Sequence, residues 1–283
     1  MIIFYADGRL GNQIFQYAFL KTIAKENEKI VSINMTQLKE SFEIEDVNFI
    51  EYSFGNFSNL LIRKILRDFF LKLFVLIKLI SCIKQDRNKT SSLLTCKKTT
   101  GLLPITFVET NYFQSQSFFD PNKLDISLKE IYLIQAKKFL SKVCDKKTKV
   151  FIHLRLGDYL SETYLGVQGI NLPKNYFLKA IDIIKSEIKD PYFVILSDDP
   201  NIAEKYFFEL DNKIISRNTL QVDLAIMSLC RAGICSNSSF SWWGAFLMDN
   251  KIKVVMPKYW FGWKLKVESH IGIQPYWSDT IDF

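Results

Sequence analysis

Four short clusters combine glycine, hydroxyls and charged side chains in patterns suited to holding an anion. The first is Gly8-Arg-Leu-Gly-Asn-Gln13. Glycines in a turn let a ligand approach the backbone, and the start of a following helix favours negative charge. The spacing is neither a P-loop nor G-x-G-x-x-G, so the glycines alone assign no nucleotide. Arg9 and Asn12 are not required by a tight turn, which makes them, with Gly11, candidates for ligand contact. The second cluster is His153-Leu-Arg-Leu-Gly-Asp-Tyr159. An arginine suits a diphosphate because its planar fork donates bidentate hydrogen bonds and never loses its charge. His153 shares a strand face with Arg155, so both are read as facing a ligand, with Asp158 beside them. The third is Leu196-Ser-Asp-Asp-Pro200, where Asp198 and Asp199 can accept hydrogen bonds from a base edge or ribose, or cap the next helix. The fourth is Cys235-Ser-Asn-Ser-Ser-Phe-Ser-Trp-Trp-Gly244. Its Ser238, Ser239 and Ser241, around Phe240, place hydroxyls, N–H groups and a helix dipole where they can converge on phosphate.

These clusters need elements to position them, and the apolar pattern supplies them. Ile2–Tyr5 is a short buried strand, residues 13–26 a helix, and Ile30–Ile33 a second strand. A helix follows over residues 127–143, and a polar link near residues 144–148 divides the chain into domains 1–146 and 147–283. Beyond it, strands at 150–154, 192–196, 213–215, 233–235 and 253–256 alternate with helices at 174–188, 201–208, 221–230 and 239–248. That alternation specifies a parallel sheet with right-handed crossovers, whose ligands bind outside the carboxyl ends of the strands. The second, third and fourth clusters all follow such strands.

One segment stands apart. Residues 57–100 hold ten basic residues against two acidic ones, whereas the rest of the chain has 27 and 28. At about 100° per residue, the charges of residues 63–84 leave an uncharged wedge roughly 120° wide, containing Ile62, Ile65, Leu66, Phe69, Leu73, Leu76, Ile80 and Ile83. The spacing predicts an amphipathic helix over 60–84. Its apolar face either packs on the core or lies on an anionic membrane surface, and the excess of basic residues favours the membrane.

With 283 residues, 48% hydrophobic and 24% charged, the chain has the composition of a globular protein of one or two domains. Five scattered cysteines without C-x-x-C, and only His153 and His270, predict neither a disulfide framework nor a structural zinc site. The opening Met1–Ala6 is too short and lacks the basic start of a secretory signal. No stretch reaches the 18 or more apolar residues of a membrane span. A cytoplasmic protein, peripheral at most on a membrane, is expected. The Gly8–Gly11 loop and the pI near 9.0 admit a nucleic-acid-binding reading. The confinement of the charge to one segment argues against it.

Gly8-Arg-Leu-Gly-Asn-Gln-Ile-Phe-Gln-Tyr17, His153–Tyr159, Ser197-Asp-Asp199 and Ser236-Asn-Ser-Ser-Phe-Ser-Trp-Trp-Gly244, in this order, resemble glycosyltransferase family 11, the α-1,2-fucosyltransferases. Tyr112-Phe-Gln-Ser115 is similar to a stretch of bacterial members. The resemblance implies an α/β, GT-B-like fold of two facing Rossmann-like domains, the second holding GDP. It implies inverting transfer of L-fucose from GDP-β-L-fucose to the 2-hydroxyl of a terminal galactose, without a metal or other cofactor. The acceptor would be a surface-polysaccharide oligosaccharide, lipid-linked at the membrane. A fucosyltransferase of another linkage is the alternative, because donor motifs are shared. On this resemblance Arg155 holds the diphosphate, His153 lines the nucleotide site, and Asp198 or Asp199 contacts guanine or ribose. Ser238, Ser239 and Ser241 would cradle phosphate, and Arg9 and Asn12 would reach the donor from the first domain. Asp158 and Asn12 are candidates for activating the acceptor. Tyr112, Gln114, Trp260, Trp263 and Trp277 are candidates for sugar contact, with burial in the core as the commoner fate of such aromatics. The family commonly has a second arginine where this chain has Leu156. Strand alternation turns that position away from Arg155, which spares the phosphate contact.

Overall fold

A computed structural model describes residues 1–53, 63–86 and 96–283. The chain forms two compact units, Met1–Ser127 and Leu128–Phe283.

The first unit is built on six strands: β1 (Ile2–Tyr5), β2 (Ile30–Ile33), β3 (Phe49–Tyr52), β4 (Ser81–Gln85), β5 (Cys96–Thr99) and β6 (Thr106–Val108), in the order β3-β2-β1-β6-β4-β5. All neighbours are parallel except β4 and β5. The central β1 is apolar throughout, as expected for a strand covered on both faces. Gly8, at φ +83°, turns the chain out of β1 into helix α1 (Leu10–Ile23). Most of α1 is buried, with Phe19 stacked on Phe113 at 3.9 Å. A short helix α2 (Thr36–Ser41) follows β2.

The basic segment departs from the predicted single helix. Arg63–Leu71 winds as a π-helix and continues as α3 (Lys72–Leu76). The chain then turns through Lys78, at φ +56°, and enters β4. Ile80 and Ile83 are therefore buried on a sheet, not on a helix face. Their three-residue spacing reads as one helix face, and the turn that ends the helix is made by a left-handed non-glycine residue, Lys78. Predicted positions 60–62 lie outside the described residues.

The second unit carries β7 (Thr148–Leu154), β8 (Pro191–Ser197), β9 (Lys213–Ile215), β10 (Ala232–Ile234), β11 (Lys253–Pro257) and β12 (Asp279–Ile281). They are all parallel, in the order β9-β8-β7-β10-β11-β12. The crossing helices are α4 (Glu130–Leu140), α5 (Lys174–Glu187), α6 (Pro200–Tyr206), α7 (Leu220–Leu229) and α8 (Ser239–Phe246). Helix α4, which the sequence assigns to the first domain, packs on α7 within this unit. Val150, Ile152, Leu154 and Leu156 join Tyr176, Phe177 and Ile181 in one core cluster. Phe151 and His153 alternate onto the opposite face. Gly233 makes room there, because a Cβ would lie 2.2 Å from the Phe151 ring. Leu156 is thus part of the core and turned from Arg155's side, as expected.

Candidate active site

In the second unit the strand order reverses direction between β7 and β10. Such a switch point opens a crevice at the carboxyl ends of the two strands. The residues leaving β7 and β10 meet there: His153 Nδ1 is 2.7 Å from Ser236 Oγ, and the Tyr159 hydroxyl donates to the Asn237 carbonyl at 3.3 Å. His153 is buried, and burial first, then the Arg155 charge, pushes its pKa down to about 3. The imidazole is neutral at any working pH. Its ring lies 5.5 Å from that of Phe240.

Arg155 is held by two carboxylates. Its Nη1 is 2.8 Å from Asp198 Oδ2, and its Nη2 donates to Asp158 Oδ1. The guanidinium also lies over the Tyr159 ring at 5.2 Å. Asp198 Oδ1 accepts from the Leu156 N–H at 2.9 Å, which fixes the carboxylate against the end of β7. Gly157, at φ +28°, is needed for this arrangement, since a Cβ would fall 2.5 Å from Asp198 Oδ2. Asp198 therefore orients Arg155 here. Asp199 caps α6 by accepting from Ile202 N–H at 3.0 Å, which realises the capping alternative.

Helix α8 begins beside this group. Ser238 is its N-cap and accepts from Phe240 N–H, while Ser239 and Phe240 are half-buried in the first turn. Ser241 differs from the expectation that it cradles phosphate. It is fully buried, and its hydroxyl donates to the carbonyls of Ser236 and Ser238, so it shapes the turn. The double tryptophan is core: Trp242 Nε1 donates to the Ile273 carbonyl, and both rings are fully buried. Trp260 is likewise buried. Trp263 donates to the Ile170 carbonyl, and Trp277 packs on Trp242.

In the first unit the equivalent reversal lies between β1 and β6. Arg9 occupies the N-cap position of α1 and is exposed, whereas Gly11 is buried in the first helical turn. Asn12 Oδ1 accepts from Gln114 Nε2 at 2.6 Å, which ties the first turn of α1 to the loop after β6. Tyr112, two residues before Gln114, is half-buried. Beside this junction a cavity of about 440 Å³ is lined by Lys84, Gln85, Asp86, Lys97, Glu109 and Asn111. Its charges are matched in two pairs, Lys84–Glu109 at 3.1 Å and Lys97–Asp86 at 3.0 Å.

Three important groups lay unassigned in the sequence. Gln16 donates to the carbonyls of Asp7 and Asn111, and Gln13 donates to the Gly8 carbonyl while accepting from Leu38 N–H. Both are buried amides among the apolar side chains of α1, and that contrast was their signal. Asp223 is the third: on the apolar helix α7 its carboxyl is bonded to the Ser216 hydroxyl, and burial raises its pKa to about 7 against the lowering effect of that bond. Among the described residues no three His, Cys, Asp or Glu side chains are grouped to hold a metal ion.

The chain is similar to several known glycosyltransferases. An alpha-1,2-colitosyltransferase of Escherichia coli is 30% identical over 280 residues, covering 90% of either chain. The O-antigen biosynthesis glycosyltransferase WbnK of Escherichia coli is 32% identical over 46% of each chain. Among solved structures, the NodZ alpha-1,6-fucosyltransferase co-crystallised with GDP aligns with TM-score 0.54 and 12% identity, over 87% of this chain and 92% of that one. A family 9 glycosyl transferase from Veillonella parvula aligns with TM-score 0.52 and 11% identity over the whole chain and 86% of its own. These likenesses establish a GT-B-like fold. The description of glycosyl transferase family 11 matches residues 1–277. The chain belongs to glycosyl transferase family 11 and is a glycosyltransferase.

Proposed function

We propose that the protein transfers L-fucose from GDP-β-L-fucose to the 2-hydroxyl of a terminal galactose, with inversion and without a metal ion. The acceptor is an oligosaccharide of surface-polysaccharide synthesis, carried on a lipid at the cytoplasmic face of a membrane. The observation that carries the reading is Arg155 at the switch point, beside the first turn of α8.

As the glycosidic bond to the donor breaks, negative charge accumulates on GDP. Arg155 meets that charge with a fixed fork, and the N–H groups opening α8 add their dipoles. Because Asp198 and Leu156 hold this arrangement in advance, little reorganisation is needed at the moment of reaction. His153, neutral, lines the nucleotide site as a hydrogen-bonding and packing group, not as an acid. A loose, oxocarbenium-like transition state asks little deprotonation of the acceptor hydroxyl. Asp158, paired with Arg155, then serves as a counter-ion. On the family resemblance Arg9 contacts the donor, and Asn12 contacts it and is a candidate for activating the acceptor. The cavity of the first unit, polar yet charge-matched, suits the hydroxyls of acceptor sugars.

The colitosyltransferase relative favours a second reading, in which the donor sugar lacks the 3-hydroxyl of fucose. A site built to bond that hydroxyl rejects its deoxy analogue by roughly 10⁴–10⁵-fold. Calorimetric titration with GDP in EDTA, on the wild type and Arg155→Ala, tests the donor site. Binding that is lost in the variant is expected, and equal binding removes the assignment. Initial rates with GDP-fucose and GDP-colitose then separate the donors, and NMR of the product gives the linkage.

A further inference from the structure

The helix of residues 63–76 has two apolar faces, and only one is used. Leu71, Phe74 and Val75 pack with Ile3, Ile80 and Phe107. Ile80 and Ile83 of the wedge singled out in the sequence are buried, but its described helical members face the other way: Ile65 is 45% exposed, Phe69 60%, Leu73 38% and Leu76 78%, and Ile77 beside them is 59% exposed. The patch continues onto a second segment. The Leu102 and Leu103 N–H groups donate to the carbonyls of Lys78 and Leu79, and Leu102 is 84% exposed. This junction is built closely, since a Cβ on Gly101 would lie 2.1 Å from the Ile80 carbonyl carbon.

The charges around the patch are mainly basic, with Asp68 the one acidic residue of 65–78. Lys72, Lys78 and Lys98 are exposed. Lys78 and Lys98 make no ion pair among the described residues, and Lys72 reaches Asp68 only at 3.6 Å. Contiguous apolar surface of this kind marks an interaction site. Two copies of the face would bring lysines against lysines, whereas anionic lipid headgroups complement them. No helix among the described residues is long and apolar enough to cross a membrane. We propose that residues 65–78 and the 101–103 turn form a peripheral docking surface for an anionic lipid bilayer. The apolar side chains enter the headgroup–acyl boundary while the lysines meet lipid phosphates. The proposal stands on this surface alone and does not depend on the identity of the donor.

Co-sedimentation of the whole protein with vesicles tests it, using phosphatidylcholine alone and phosphatidylcholine mixed with phosphatidylglycerol, at low and high salt. Binding to the mixed vesicles, weakened by salt, is expected. Each Lys→Gln change at Lys72, Lys78 or Lys98 should lower the partition coefficient about five-fold. The triple change Phe69→Ser, Leu73→Ser, Leu76→Ser should abolish binding while transfer to a soluble acceptor continues at the wild-type rate. Absence of vesicle binding overturns the proposal, as does undiminished binding by the triple variant. So does a concentration-dependent dimer that the same triple change dissociates, or an RNA retained more tightly than vesicles at equal salt.

Discussion

Asp158→Asn separates two roles for one carboxylate. Asp158 and Asp198 share the Arg155 guanidinium, but the Asp158 side chain is 49% exposed against 24% for Asp198. The Asp158 pair is the better screened of the two and the easier to break. An exposed pair of this kind contributes at most about 1 kcal/mol. A diphosphate arriving at Arg155 must displace or share that carboxylate, so its presence opposes binding by the same amount. Asparagine removes the charge, while the backbone carbonyl that holds the Ser161 and Glu162 N–H groups is unchanged. GDP should therefore bind about two- to five-fold more tightly, since 1.4 kcal/mol is tenfold. The turnover number should stay within about three-fold, because no proton transfer is lost. Calorimetry at two salt concentrations and initial rates measure both. Unaltered GDP affinity with a turnover number reduced about 100-fold or more would refute the counter-ion argument and make Asp158 the proton acceptor.

Other substitutions probe the supports. Gly157→Ala should push Asp198 from Arg155 and strain a left-handed residue, so GDP affinity should fall about tenfold or more, read by the same titration. Gln16→Leu leaves the Asp7 and Asn111 carbonyls without their donor, and a stability loss of about 1–3 kcal/mol is expected in urea unfolding. Asp223 titrates above the ordinary carboxylate value in the fold, so its stabilising neutral form is fully present below about pH 4 and is lost as the pH rises through about 7. Asp223→Asn should flatten that decline and raise the thermal midpoint at pH 8.5. A midpoint lowered equally at every pH would show that the carboxylate itself is required.

The sheet of the second unit was legible because its strands are apolar, and their spacing with the helices is regular. Lys213–Ile215 and the start of α8 fall where the sequence placed them. The edge strands of the first unit, β3 and β5, and the last strand, β12, were not legible. Cys96–Thr99 is Cys-Lys-Lys-Thr, and its Lys97 sits opposite Lys84, a pairing tolerated because Asp86 and Glu109 neutralise each lysine. Sequence carried no trace of that compensation. At the site, Arg155, His153 and Ser238 could be found from chemistry and strand position. Ser241 could not be told from its neighbours, because a serine spent on backbone carbonyls and one offered to a ligand are the same letter. Asp198 was found in place but in a different relation, bonded to Arg155.

The two glycine turns impose a shared restriction on how this chain can change. In each unit the space a side chain would occupy is already taken by a polar group of the crevice. Asn12 Nδ2 lies 2.4 Å from the Cβ position of Gly8, and Asp198 Oδ2 lies 2.5 Å from that of Gly157. Shortening Asn12 or Asp198 would empty that space, yet the positive φ of both glycines would still resist any replacement. Glycine and polar partner thus cannot be exchanged one after the other through viable intermediates. Variation in what the enzyme accepts must therefore come from residues outside these two pairs.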